Sequence, residues 1–215
     1  MTGNQIIDKF NLYSDNSTEL SASEELDLLN KVIQKIAMNR PWEALKTQAS
    51  GTILNAGGVY YITLPADFAY LISNNASTDN STGTENNASP TVIFVGSSYT
   101  PYQVVNFSDR RQYLNTIGYA YLDLANSRIV FAQDPSDDGT TYEFDYIKFP
   151  ATIVATDTPV FPPARFHEMI AHAMAADEEL IEKFPRANSY ANDNLEKYDG
   201  YLSDMAYWNS MLLQN

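Results

Sequence analysis

"PPARFHEMIAHAMAADEELIEKF", residues 162–184, marks the point where strand-like patterning gives way to helix. Two prolines open the stretch and Pro185 closes it, as expected of one helix over about 164–184. His167, Glu168 and His172 raise the question of a zinc-binding helix. A helical metal site of that kind needs two imidazoles four residues apart, one turn above each other on one face. Here they are five apart, and at roughly 100° per residue they diverge by about 140° around the axis. No metal is assigned. The segment is read as a packing helix, with Ala171, Ala173, Ala175 and Ala176 small enough to admit a close helical neighbour.

The chain before this helix has two textures. Up to about Lys46 it is helical: a short amphipathic segment over 5–12, a polar turn, then "SASE", in which Ser21 and Glu24 can form a capping box. Leu26, Leu29, Ile33 and Ile36 follow at helical spacing, and Leu28 and Val32 widen the stripe. Pro41 stops this helix and opens a further turn, with Trp42 and Leu45 facing inward. From about 49 to 159 the pattern is that of strands. "GTILNAGGVYYITLP" is a hairpin about Asn55-Ala56-Gly57-Gly58, and residues 119–150 predict three strands in a meander. Residues 73–90 contain no apolar side chain larger than Ala and are expected to form a mobile loop.

After the 162–184 helix a last one is predicted over about 190–213. Ala191, Leu195, Tyr198, Leu202, Met205 and Leu212 form its stripe. The expected fold is therefore α+β. Helices from both chain ends (1–48 and 161–215) form a discontinuous bundle, and an antiparallel β-domain, sandwich or barrel-like, is inserted at 49–160.

Composition narrows the function. The chain of 215 residues has 27 acidic and 13 basic side chains, a net charge of −14, which argues against gripping DNA phosphates or an anionic membrane. It has no cysteine, so neither disulfides nor thiolate chemistry. There is no secretory signal pattern and no apolar run of membrane-spanning length, so the sequons at Asn16, Asn75, Asn80, Asn87 and Asn106 read as chance in an intracellular protein. No Gly-x-Ser-x-Gly or phosphate loop is present, and the paired carboxylates Glu24-Glu25 and Glu178-Glu179 read as solvated helix faces, so no enzyme activity and no cofactor are assigned.

Three features remain as candidate sites. Asp134, Ser136, Asp138, Gly139 and Asp145 have the spacing of a calcium loop, but with strands on both flanks the first reading is a hairpin turn, calcium being the alternative. Arg110-Arg111 is the basic doublet of the chain, either satisfied by Asp109 and carbonyls or offered to a partner's carboxylate. The third is the end of the last helix, where Met205, Tyr207, Trp208, Met211, Leu212 and Leu213 follow Asp204 with no further charge and occupy more than one helical face. That is the mark of a partner-binding surface with Trp208 as anchor.

In order along the chain, "LLNKVIQKIAMNRPWEALK", "YYITLPADF", "YTPYQVVNFSDRRQYL", "RIVFAQDPSDDGTTYEFDYIKFP" and "PVFPPARFHEMIAHAMAADEEL" resemble the head-to-tail adaptors of tailed bacteriophages. The likeness spans about 22–184 and rests on a helix ending in Arg-x-Trp, a Tyr-x-x-Leu-Pro-x-x-Phe strand exit and a proline-rich lead into an alanine-rich helix. It implies a non-enzymatic virion protein of the neck or tail, assembled in the host cytoplasm. Its partners would be the portal protein and the tail nozzle or tail tube protein. Its copies would form a ring, dodecameric in such adaptors, with DNA only in transit and no membrane. A β-sandwich module binding glycan or another surface, with calcium at 134–145, is the alternative.

Overall fold

The computed structural model describes residues 1–15, 19–72, 91–137, 139–184 and 188–212. The expected loop at 73–90, Asp138 and Leu213 lie outside the described residues. In chain order the helices are α1 (Gly3–Tyr13), α2 (Ala22–Met38), α3 (Arg110–Tyr113), α4 (His167–Ala175), α5 (Glu178–Lys183) and α6 (Asn188–Leu212). The strands are β1 (Lys46–Thr52), β2 (Leu54–Ala56), β3 (Val59–Thr63), β4 (Phe68–Leu71), β5 (Val92–Val95), β6 (Thr100–Val105), β7 (Tyr119–Asp123), β8 (Arg128–Phe131) and β9 (Thr141–Lys148). The chain is α+β and divides into a helical unit, residues 1–45 with 149–215, and a strand unit, Lys46–Lys148.

In the helical unit, α1 and α2 both start with a complete capping box, Thr2 with Gln5 and Ser21 with Glu24. The Lys183 ammonium and the Ser21 N–H hold the Glu24 carboxyl down at about 2. On α2 the expected stripe is buried through Leu28, Leu29, Val32, Ile33 and Ile36. Trp42 is fully buried, and its indole N–H donates to the Ile36 carbonyl at 2.8 Å, so the break at Pro41 folds the ring back under the helix it ends. Helix α4 packs against α1, α2 and α6.

Two helical expectations change. The single helix over 164–184 is a 3₁₀ turn, α4 and α5, broken at Asp177. There the backbone is extended (φ −69°, ψ 125°), and the buried carboxylate meets Lys31 and Lys35 at 3.3 and 2.7 Å. Burial pushes this carboxyl up, but the two ammonium groups outweigh it and its pKa lies below the usual value. On α6 the inward face runs through Ala191, Asn194, Tyr198, Tyr201, Met205 and Asn209, while Leu195 and Leu212 are 47% and 43% exposed. Two buried asparagines set the phase of the stripe.

Among the described residues the strand unit is one nine-stranded, nearly closed barrel-like sheet in the order β1-β9-β5-β6-β7-β8-β3-β2, with β4 also on β9. Strands β1 and β2, at the two ends of that order, are separated in the chain by Ile53 alone, whose N–H still donates to Thr140. One bent stretch of chain thus serves both ends, which curls the sheet toward closure. Strand β9 pairs with β1 along one edge and with β5, then β4, along the other. The sheet departs from the expected all-antiparallel meander twice. Strands β6 and β7 are parallel, joined by a crossover that contains α3, and β8 pairs with β3 rather than with β9. The core is Ile62, Ile93, Val95, Tyr102, Ala120, Ile129, Phe131, Phe144 and Tyr146. Desolvation and a hydrogen bond to Asp67 raise the Tyr146 hydroxyl to about 12.

The Asn55–Gly58 turn forms as expected between β2 and β3, with Gly57 and Gly58 at φ 64° and 83° and the Asn55 side chain accepting from the Gly58 N–H at 3.1 Å.

Candidate interaction surfaces

The two histidines of α4 are both buried and serve different neighbours. His167 Nε2 lies 3.0 Å from the Pro162 carbonyl. His172 Nδ1 lies 2.8 Å from Asn194 Oδ1, and its ring stacks on Tyr13 with centroids 4.2 Å apart and planes 4° from parallel. Burial lowers the pKa of both. Beside them Glu168 accepts from Lys9 Nζ at 2.6 Å and from the Tyr13 hydroxyl, and Lys9 holds its carboxyl low. These contacts join α1, α4 and α6, and no cluster of three or more His, Cys, Asp or Glu able to hold a metal is found among the described residues.

The described residues of the 134–145 spacing serve different partners. Asp145 stands in β9 with Lys46 Nζ at 3.6 Å, and Asp134 accepts from the Ser136 N–H at 2.9 Å, from the Ser136 hydroxyl, and from the Tyr60 hydroxyl at 2.6 Å. Since β8 and β9 are not neighbours, the segment is a connection between distant strands rather than a hairpin.

At the end of α6, Met205 is fully buried in the helical unit and so is taken up by the chain's own core. Trp208 is half-buried, its ring 6.1 Å from Phe166 and 4.5 Å beneath the Arg165 guanidinium. Asn209 accepts from the Glu43 N–H at 2.8 Å and donates to the Pro41 carbonyl at 3.3 Å, which fastens this end of α6 to the segment after α2. Outward stand Tyr207, Met211 and Leu212, at 68%, 41% and 43% exposure. The sequence patterning named this stretch as a whole and could not separate its inner from its outer residues.

The arginine doublet lies on the β6–β7 crossover, in α3. Arg110 folds back: it donates to the Phe107 carbonyl at 2.7 Å, and its guanidinium sits 3.7 Å from that ring's centre. Arg111 is exposed, with no ion pair among the described residues. Phe107, Leu114 and Ile117 flank it at 45%, 53% and 57% exposure. Sequence reasoning named the arginines and missed these three apolar neighbours, because no strand or helix period selects residues of a crossover.

No helix among the described residues is long and apolar enough to cross a membrane. The family model described as "SU10 adaptor protein" matches residues 1–212. No curated protein matches the chain.

Proposed function

Because the chain belongs to the SU10 adaptor protein family, a family of phage head-to-tail adaptors, we propose that it forms a ring between the portal and the tail nozzle or next tail component. The genome passes through the channel of that ring. The observation that carries this reading is the family match over 1–212. The charge of −14 supports it: an acidic wall repels the phosphate backbone, so DNA moves past without adhering. In this reading the terminal helices act as one discontinuous bundle, and the dodecameric ring meets the portal through the outward residues at the end of α6. Tyr207, Met211 and Leu212 form that contact, with Trp208 behind them.

The test is co-sedimentation with portal rings, followed by electron microscopy of the pelleted complex. The wild-type chain is expected to pellet with the portal and add a ring of density to it. A variant carrying Tyr207→Ser, Met211→Ser and Leu212→Ser is expected to keep its thermal melt and lose the portal. Equal pelleting by the variant would remove the α6 end from the interface, and no pelleting by the wild type would remove the adaptor-to-portal reading itself.

A further inference from the structure

The strand unit has two unlike ends that complement each other. One is the β6–β7 crossover, which carries the exposed Phe107, Leu114 and Ile117 together with Arg111, a cation with no ion pair among the described residues. The other lies by the β5–β6 turn. There Tyr99, 58% exposed at φ 53°, presents its ring to Phe94, with centroids 6.2 Å apart and planes 71° from parallel. Glu143 pairs across the sheet with Ser50 on one side and Phe94 on the other, so the three side chains stand in a row on one face. Together with Tyr99 and Thr141 they line a cleft of about 500 Å³. The Glu143 carboxylate accepts from the Gln48 amide at 2.8 Å, a neutral donor that leaves its charge uncompensated, and it has no cationic partner among the described residues.

The turn precedes Thr100 and the crossover follows Val105, so the six residues of β6 separate the two features, roughly 20 Å along the strand. A guanidinium suits such a cleft, because its plane can pair with a carboxylate while its face rests on aromatic rings. Both halves of the match are on this chain, and they lie at opposite ends of one strand.

We propose that the crossover of one copy, led by Arg111, docks into the Glu143 cleft of a second copy. The contact is head-to-tail. Two different surfaces meet, so the contact repeats from copy to copy and yields a ring where the rotation closes. In a chain with 27 acidic and 13 basic residues, copies repel one another at long range, and an exposed cation with no ion pair among the described residues offsets that repulsion at the contact. This deepens the ring reading above and rests on it.

The experiment is sedimentation velocity of the full chain over a concentration series at low and high salt, alone and with portal rings. Arg111→Glu and Glu143→Arg are each expected to weaken association of copies at least tenfold with unchanged circular dichroism. The R111E/E143R double variant is expected to regain it, because the charge pair is restored in reverse. As a second readout, the cysteine-free chain permits single-cysteine variants Gln112→Cys and Ser97→Cys. When mixed, these should join through a short bis-maleimide into a dimer of unlike chains. Single variants that assemble like the wild type, a double variant that stays dissociated while folded, or mixed cysteine variants that do not join would each overturn the contact while leaving the ring standing. A wild-type chain that remains monomeric both alone and on portal rings would overturn the ring reading, and the contact with it.

Discussion

His172 Nδ1 and Asn194 Oδ1 are 2.8 Å apart, and the surroundings decide which of them holds the proton. Asn194 donates through its amide nitrogen to the carbonyls of Tyr13 at 3.2 Å and Tyr190 at 2.8 Å, so its oxygen faces the imidazole as an acceptor. His172 is therefore the Nδ1–H tautomer. Asn194→Leu removes three hydrogen bonds at a buried position and is expected to cost about 2–3 kcal/mol, lowering the melting temperature by roughly 4–12 °C. Thermal melts check the cost, and nitrogen-15 shifts of the imidazole check the tautomer. A variant that melts with the wild type would show that α6 is held without this residue.

Both buried histidines have pKa values below the ordinary 6.5. The unfolded chain thus takes up protons before the folded one does. The stability that follows is fully present above about pH 6.5, declines as the pH falls from there toward the folded values, and is constant below them. Each histidine contributes a slope of up to about 1.4 kcal/mol per pH unit in that window. Urea titrations between pH 7.5 and 5 should show the decline, and His172→Phe, which keeps a ring against Tyr13, should roughly halve the slope. An unchanged slope would assign the effect elsewhere.

At lower pH the sign is the same but the group differs. Glu24, held at about 2 by Lys183 and the α2 capping box, gives stability that is present above the usual carboxylate value of 4.5 and lost as the pH falls toward 2. Glu24→Gln should flatten the acid limb below pH 4.5 and leave the limb above pH 5 as it was. The same denaturation series extended to pH 2.5 decides this.

Gly139 and Gly57 both sit at positive φ, 131° and 64°, but only one is crowded. A Cβ on Gly139 would stand 2.7 Å from the Gly96 Cα, a backbone atom with little room to yield, whereas one on Gly57 would meet open space. Gly57→Ala is expected to cost about 1–2 kcal/mol from backbone conformation alone, and Gly139→Ala clearly more. Equal costs in urea unfolding would mean that Gly139 and Gly96 lie less close in solution.

Sequence patterning suggests that the chain beyond Asp204 could be removed without harm to the fold. The packing predicts otherwise, since Trp208 rests on Phe166 and Arg165, and Asn209 holds the Pro41 carbonyl and the Glu43 N–H. Truncation there should lower the melting temperature markedly, while Tyr207→Ser alone should not. Parallel melts of the two chains settle the point.

What was legible in the sequence follows from how each residue acts. The face of α2, the buried Trp42 and the Asn55–Gly58 turn were readable, because periodicity and backbone conformation are local properties. The Thr2–Gln5 capping box is equally local, and Thr-x-x-Gln is its signal. The face of α6 was not readable by hydrophobicity, since Asn194 and Asn209 bury polar atoms that only distant carbonyls, N–H groups and an imidazole can satisfy. The parallel β6–β7 pair and the wide separation of β8 from β9 were equally hidden, because strand neighbours are chosen by the whole sheet. Of the candidate surfaces, charge pointed to Arg111, but Glu143 looked like any strand carboxylate until its neighbours across the sheet were known.

Strand β9 has a bearing on how the chain is made. It is the last strand in the chain, yet its partner β1 is the first, Gln48 lying 95 residues from Glu143. Vectorial synthesis therefore leaves β1 without its neighbour until the ribosome has passed Lys148. The helical unit waits longer, since α1 and α2 bury their apolar faces against α4, which follows the entire sheet. On the nascent chain the amphipathic faces of α1 and α2 stay uncovered while the strand unit between them and α4 completes. That interval is when general chaperones have most to hold, and it ends only when the polypeptide past residue 167 emerges.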